Sequence, residues 1–230
     1  MGSARMAQVT AVFGAGGGIG AALVDAVREE GDTVVGFTRA DCDVADEAQV
    51  ADAARRLAAG PPPTRVIVAS GLLHDGDAGP EKASAQLDPA WLLRSFAVNA
   101  IGPALVAKHV LPIMPRAERI VFAALSARVG SISDNALGGW HSYRASKAAL
   151  NQLIRTIAIE ERRRNPSAVV VALHPGTVAT RLSAPFRGNV QPGRLFAPDR
   201  AAVQLLDVLD ELRGKDSGRL FDWEGKEIAP

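Results

Sequence analysis

Cysteine is all but missing from this 230-residue chain. Cys42 stands alone, which excludes an internal disulfide and suits a reducing cytoplasm. A charge excess is missing too: 26 Lys+Arg face 25 Asp+Glu, a formal net charge of +1. No basic stripe with interleaved aromatics occurs, so nucleic acid is not an expected partner. No apolar run approaches the ~18 residues that cross a bilayer, and no signal-peptide pattern opens the chain, so no membrane partner is expected. The four histidines and the one cysteine are scattered without metal-ligand spacing, which leaves no candidate metal site. Internal repeats and low-complexity tracts are lacking. Residues 1–5 read as a leader left from expression, with Met6 the native start, and 6–230 as one large α/β domain.

What is present is an alternation of apolar runs and amphipathic stretches. Residues 9–13 read as a buried strand, followed at once by Gly14-Ala-Gly-Gly-Gly-Ile-Gly20 and a helical pattern over 19–30 that stops at Gly31. Strand, glycine turn and helix is the context in which a glycine-rich string binds a dinucleotide. The backbone turns tightly, comes close to a pyrophosphate, and the helix N-terminus stabilises its charge. Two registers fit: Gly16-x-Gly18-x-x-Ala21, and Gly14-x-x-x-Gly18-x-Gly20, which begins where the strand ends and is preferred. A structural turn without a ligand is the plainer alternative. The second strand, 33–38, ends in Thr38-Arg39 rather than in the acidic residue that favours NAD. A guanidinium suits a 2′-phosphate, so NADP(H) is expected over NAD(H). Asp41 keeps NAD open, and a plain exposed side chain is the other reading of Arg39.

No room for a crossover helix remains between that strand and Cys42-Asp43-Val44, so any strand over 41–44 is a short edge strand before the helical stretch 46–59. Pro61-Pro-Pro63 connects to a buried strand, 65–69, which delivers Ser70-Gly71 to the carboxyl edge of the sheet, where α/β proteins bind ligands. The polar run 72–86 reads as a surface loop with His74 and Asp75 solvated. A helix over 88–109 carries Trp91, Phe96 and Asn99, whose buried amide must find partners or bend the helix. A strand over 119–125 leads into Ser126-Ala-Arg-Val-Gly130, and another over 168–173 ends in His174-Pro-Gly-Thr-Val-Ala-Thr180. Residues 181–197 read as an irregular substrate lid, 199–213 as the last helix and 219–223 as a final short strand. The alternation predicts a single Rossmann-type doubly wound parallel sheet flanked by helices, trimmed after the second strand.

Near the start of a long helical run, 141–164, stands Tyr143-Arg-Ala-Ser-Lys147. A spacing of four puts phenol and ammonium on one helix face. An ammonium ~4 Å away, at an effective dielectric of ~20, is expected to lower the tyrosine pKa by a few units. Such a phenol exchanges a proton with an alcohol or carbonyl oxygen. Alone, the motif is common and an exposed helix turn would explain it.

In combination, Gly14-x-x-x-Gly18-Ile19-Gly20, Asp43-Val44, Val98-Asn99-Ala-Ile-Gly102, Tyr143-x-x-Ser-Lys147 and Pro175-Gly176 resemble the short-chain dehydrogenase/reductase family, in its order and over most of the chain. The long loop before Tyr143 and Leu220-Phe-Asp-Trp-Glu-Gly225 are most similar to its carbonyl-reductase-like branch, which includes the C-factor and sniffer proteins. The resemblance implies an NADP-dependent oxidoreductase moving hydride between nicotinamide and a small carbonyl or secondary alcohol substrate. It implies Tyr143 as general acid/base and Lys147 as the group that lowers its pKa and binds the nicotinamide ribose. Asn99 would hold a water linking Lys147 to solvent. Pro175, Gly176, Val178 and Thr180 would contact the carboxamide, Asp43 and Val44 would flank the adenine, and Gly71 would join them at the sheet edge. The same resemblance implies a homodimer or homotetramer paired through the Asn99 and Tyr143 helices. Trp140, Leu182 and Phe186 are candidate pocket walls that point to an apolar or aromatic carbonyl compound.

Two departures from the family pattern matter. Ala69-Ser70-Gly71 replaces the usual Asn-Ala-Gly. The catalytic serine normally stands three residues before the glycine that corresponds to Gly130; that position is Ala127, and Ser126 is one residue early. A one-residue slip within a strand turns a side chain to the opposite face, whereas a bulge at the strand end restores its aim. Ser126 is taken as the catalytic serine, with Ser131 the alternative. Two other functions stay open on this scaffold: a nucleotide-binding signalling or regulatory protein, and an epimerase or dehydratase.

Overall fold

The computed structural model describes residues 8–230 except 77, 190 and 192; the leader reading and the start at Met6 lie outside the described residues. β1 (Val9–Phe13) and α1 (Gly18–Glu29) lead to β2 (Thr33–Phe37). Asp46 starts α2 (Glu47–Ala58) by accepting from the N–H groups of Ala48 and Gln49. After β3 (Arg65–Val68), Asp88 caps α3 (Pro89–Phe96), which runs through a π turn, Ala97–Ile101, into α4 (Gly102–Val110). Then come β4 (Val121–Leu125), α5 (His141–Arg164), β5 (Val169–His174) and β6 (Thr177–Val178). The chain closes with β7 (Leu195–Phe196), α6 (Pro198–Glu211), β8 (Leu220–Asp222) and β9 (Glu227–Ile228).

The main sheet has the order β2-β1-β3-β4-β5-β8-β9, parallel except where β9 turns back on β8. Its strands read as unbroken apolar runs because both faces are covered. Ala11, Val66, Phe122 and Val170 face one layer with α2, α4 and α5, while Val12, Ile67, Ala123 and Val171 face α1 and α6. The strand order reverses between β1 and β3. That is the switch point where open α/β sheets leave a crevice beyond the carboxyl ends.

Four expectations need correction. Residues 41–44 form no strand: the N–H groups of Asp41 and Cys42 bond Thr38 O, Asp43 accepts from Ala45 N–H, and Asp46 caps α2, so the chain turns directly into the helix. The final strand is joined by an antiparallel partner, β9, because Gly225 turns the chain back from Asp222. The stretch 181–197 is not wholly irregular; it holds a short 3-10 helix, Ala184–Asn189, and β7, which pairs with β6 in a separate two-stranded sheet. Lastly, the helical run Pro89–Ile113 is long and apolar enough to cross a bilayer, with a mean hydropathy of 1.4. Within it Trp91, Ala100, Val106 and Val110 are buried and α3, the π turn and α4 pack on α5 and α2, the arrangement of a core helix.

Candidate active site

At the end of β1, Gly14 turns the chain at φ 84°, where an L side chain would be strained. Gly17 N–H bonds Gly14 O at 3.0 Å, and α1 begins at Gly18 with no side chain capping its N-terminus. A Cβ on Gly20 would stand 2.1 Å from Gly14 O, and one on Gly18 would stand 2.6 Å from Thr180 Cγ2. The backbone therefore uses the register Gly14-x-x-x-Gly18-x-Gly20. Gly14, Gly18 and Ile19 form one wall of a cleft of about 1240 Å³ at the switch point, and Gly20 packs beneath them. Uncapped N–H groups beside glycines with no room for a side chain fit a dinucleotide pyrophosphate.

Arg39, Asp43, Val44 and Gly71 line the same cleft beyond β2 and β3. The Arg39 side chain is 77% exposed, with Nε 3.6 Å from Asp43. Asp41 turns away: its Oδ2 accepts from Thr38 Oγ1 at 2.7 Å and Thr38 N at 2.9 Å. Those bonds hold its carboxyl below the ordinary range. Across the cleft Pro175, Gly176, Val178 and Thr180 form the wall after β5. Gly176 has φ 75°, and a Cβ there would meet Phe196 at 2.6 Å.

Helix α5 brings Tyr143 and Lys147 to this cleft. Its entry is unusual, because Trp140 before it is the one described non-glycine residue with positive φ, 53°. Glu81, from the loop read as solvated, makes that entry possible. Its carbonyl accepts from Trp140 N at 2.5 Å, and its buried carboxylate accepts from Ser142 N at 3.1 Å and from the Ser142 hydroxyl. Burial raises the Glu81 carboxyl, yet the Ser142 bonds outweigh it and the net shift is downward. A carboxylate at a helix N-terminus also complements the helix dipole. No local pattern around Glu81 signalled this role.

For Tyr143 and Lys147, burial is the dominant influence on titration. Burial pushes Tyr143 up to about 12 and Lys147 down to about 7. Lys147 is buried and Tyr143 half-buried at the cleft wall, and loss of water shifts each toward its neutral form. Lys147 Nζ donates to Leu125 O at 2.8 Å and lies over the Tyr143 ring, 5.7 Å from its centroid.

Ser126 also reaches the cleft wall, but its hydroxyl donates to Asn151 Oδ1 at 2.7 Å. Asn151 lies one further helix turn beyond Lys147, so the end of β4 is stitched to α5 twice, through Leu125 and Ser126. Ala127 lines the cleft beside it. Ser131 is buried outside the cleft wall and accepts from Asp134 N. Asn99 lies behind the wall at 0% exposure; its amide bonds Leu72 N and O, both at 2.8 Å, and Ser146 Oγ at 3.1 Å. The helix takes a π turn there, and Asn99 has no described contact with Lys147.

Over Tyr143 stands an aromatic collar: Trp140 lies 6.2 Å from Tyr143, Phe186 5.1 Å from Trp140, and His74 5.9 Å from Phe186. His74 is therefore not a free loop residue; its Nε2 is 3.2 Å from Arg181 O. Leu182 joins Trp140 and Phe186 on the wall.

A parallel sheet with a glycine turn at its switch point, facing Tyr143 and Lys147 on one helix, defines a nucleotide-binding oxidoreductase architecture. A family model described as enoyl-(acyl carrier protein) reductase matches residues 17–200, and the chain belongs to the short-chain dehydrogenase/reductase family. Its relatives include C-signal of Myxococcus xanthus, 36% identical over 146 residues that make up 64% of this chain and 82% of that protein. A 1-hydroxy-2-glutathionyl-2-methyl-3-butene dehydrogenase of Rhodococcus sp. is 32% identical over 60% of this chain and 58% of its own length. Among solved structures, the NADPH-bound carbonyl reductase from chicken fatty liver superposes with a TM-score of 0.80 at 25% identity, covering 97% of this chain and 99% of that one. A Burkholderia multivorans structure with bound NADP, assigned to the same family, gives 0.83 at 25% identity over 97% and 100%.

Proposed function

We propose that this chain is an NADP-preferring carbonyl reductase or secondary alcohol dehydrogenase. The observation that carries the reading is that Tyr143 and Lys147 open onto the same cleft as the Gly14–Gly18–Gly20 cradle. A nicotinamide cofactor supplies hydride when bound. Gly18 and Ile19 would hold its pyrophosphate, Arg39 its 2′-phosphate and Lys147 its ribose. Tyr143, protonated at neutral pH, gives its phenolic proton to the carbonyl oxygen. Trp140, Leu182 and Phe186 position an apolar or aromatic carbonyl compound and keep water away. The NADP-bound neighbours support the choice of nicotinamide. The test is NADPH consumption with a panel of aldehydes, ketones and quinones.

Preference for NADP rests on the exposed Arg39 and on Asp41 being occupied by Thr38. Steady-state rates should favour NADPH over NADH by at least about tenfold, and Arg39→Ala should remove most of that preference. The expectation follows from a charge-assisted hydrogen bond of roughly 1.5–3 kcal/mol. Equal rates with both cofactors would refute it.

A second reading, a weakly active nucleotide-binding regulatory protein, is favoured by the Ser126 hydroxyl being committed to Asn151. Tight NADPH binding with no turnover across the panel would support it. We also propose a homodimer or homotetramer formed through α3 and α5, where Leu93 and Ile159 are 72% and 43% exposed. Light scattering should give a multiple of the 24.1 kDa chain, and a single 24.1 kDa particle would refute it.

A further inference from the structure

Over the whole chain the charges balance, 26 cationic side chains to 25 anionic. In the cleft they do not. Among the described residues Arg39, Arg94, Arg128, Lys147 and Arg181 line it against one carboxylate, Asp43, and that carboxylate faces Arg39. The cofactor reading accounts for Arg39 and Lys147. It leaves three arginines without an assigned ligand.

Two of the three are braced from behind. Arg94 is ion-paired with Asp75, and Arg128 lies 3.1 Å from Asp134 and 3.7 Å from Asp222. None of those carboxylates is on the cleft wall, but each pair offsets the charge of its guanidinium, and Arg128 and Asp134 also line a second pocket beside Ser133 and Glu227, so Arg181 is the cation left uncompensated. Arg181 is exposed and has no carboxylate within ion-pair distance among the described residues. Arg181 is tied to the collar through its backbone carbonyl, and Arg94 through Asp75. His74 bonds the Arg181 carbonyl and touches Phe186, and the next residue, Asp75, holds Arg94. From there Phe186 and Trp140 lead inward to Tyr143. A ligand lying along this path meets the aromatic surface of Trp140 and Phe186 on a wall that Arg181 and Arg94 also line. Guanidinium forks match planar and tetrahedral oxyanions, often with two parallel hydrogen bonds.

We propose that the substrate carries an oxyanion, a carboxylate or a phosphate-type group, on an apolar body, and that Arg181, assisted by Arg94, receives it while the carbonyl reaches Tyr143. The inference rests on the reductase reading for the position of the carbonyl. Its charge argument is independent of turnover.

The test measures binding to the protein saturated with NADP+, by calorimetry at low salt. Three ligands share one aryl ketone body and differ at the far end: a carboxylate, its methyl ester and a phosphonate. At least one anion should bind roughly tenfold or more tightly than the ester, and added salt should erode that margin. Arg181→Gln should remove most of the anion's advantage, leave the ester unchanged and keep the melting temperature. The better of the two anions identifies the group. Equal binding of anions and ester, equal weakening of both by Arg181→Gln, or no binding of any of the three overturns the proposal. Turnover of the same ketones with NADPH separates the two readings. An ester reduced as well as the acids leaves the reductase standing without the anion site. Anion-selective binding with no reduction leaves the anion site standing without the reductase.

Discussion

Tyr143→Phe should abolish NADPH-dependent carbonyl reduction, a loss of roughly 10²–10⁴ in rate, with NADPH affinity unchanged within a few-fold. The ring would keep its place under Trp140 and only the phenolic proton would go. Ser126→Ala should behave differently. Its hydroxyl is committed to Asn151, so turnover should fall by less than about tenfold, against the ~10² or more expected from losing an oxyanion donor. The variant should melt earlier instead, because Asn151 loses its buried donor at roughly 1–3 kcal/mol. Equal loss in the two variants would show that Ser126 works on the substrate oxygen after all. The pH dependence follows from the phenol, raised to about 12 by burial. Tyr143 stays protonated at neutral pH, so it is ready to donate in reduction. Alcohol oxidation needs the phenolate, so its rate should climb through the alkaline range.

Gly20→Ala should cost at least about a hundredfold in NADPH affinity and lower the melting temperature. The added Cβ would stand 2.1 Å from Gly14 O, 2.8 Å from Gly14 C and 3.2 Å from Ala15 Cα, all backbone atoms. No rotamer change relieves that contact. Either α1 moves off β1 or the turn opens, and both take the helix N-terminus away from the pyrophosphate position. Overpacking of this kind destabilises by about 1–3 kcal/mol, or several degrees for a domain of this size. Wild-type affinity and stability would mean that the turn is not the cofactor cradle.

The elements that could be read along the chain were those set by neighbours in sequence. Strand, glycine turn and helix follow from apolar runs, from positive φ at Gly14 and from the cap residues Asp46 and Asp88. The preferred glycine register and the shared face of Tyr143 and Lys147 belong to the same class. The trimmed corner after β2 was legible too, but whether residues 41–44 formed a strand or a turn was decided by side chains of adjacent residues rather than by periodicity.

What the linear order could not show depends on residues far apart in it. Ser126 meets Asn151 across 25 positions, and Glu81 caps Ser142 across 61. Neither motif contains its partner. The titration of Tyr143 and Lys147 depends on burial by several elements at once, a cost that a local charge argument leaves out. The arginine-rich wall is invisible in a composition with balanced charge, because folding gathers five described cationic residues on the cleft wall with one carboxylate, Asp43, among them. Local periodicity determined the scaffold and its nucleotide turn; desolvation and long-range pairing, which only the packed chain has, decided which side chains remain free to act.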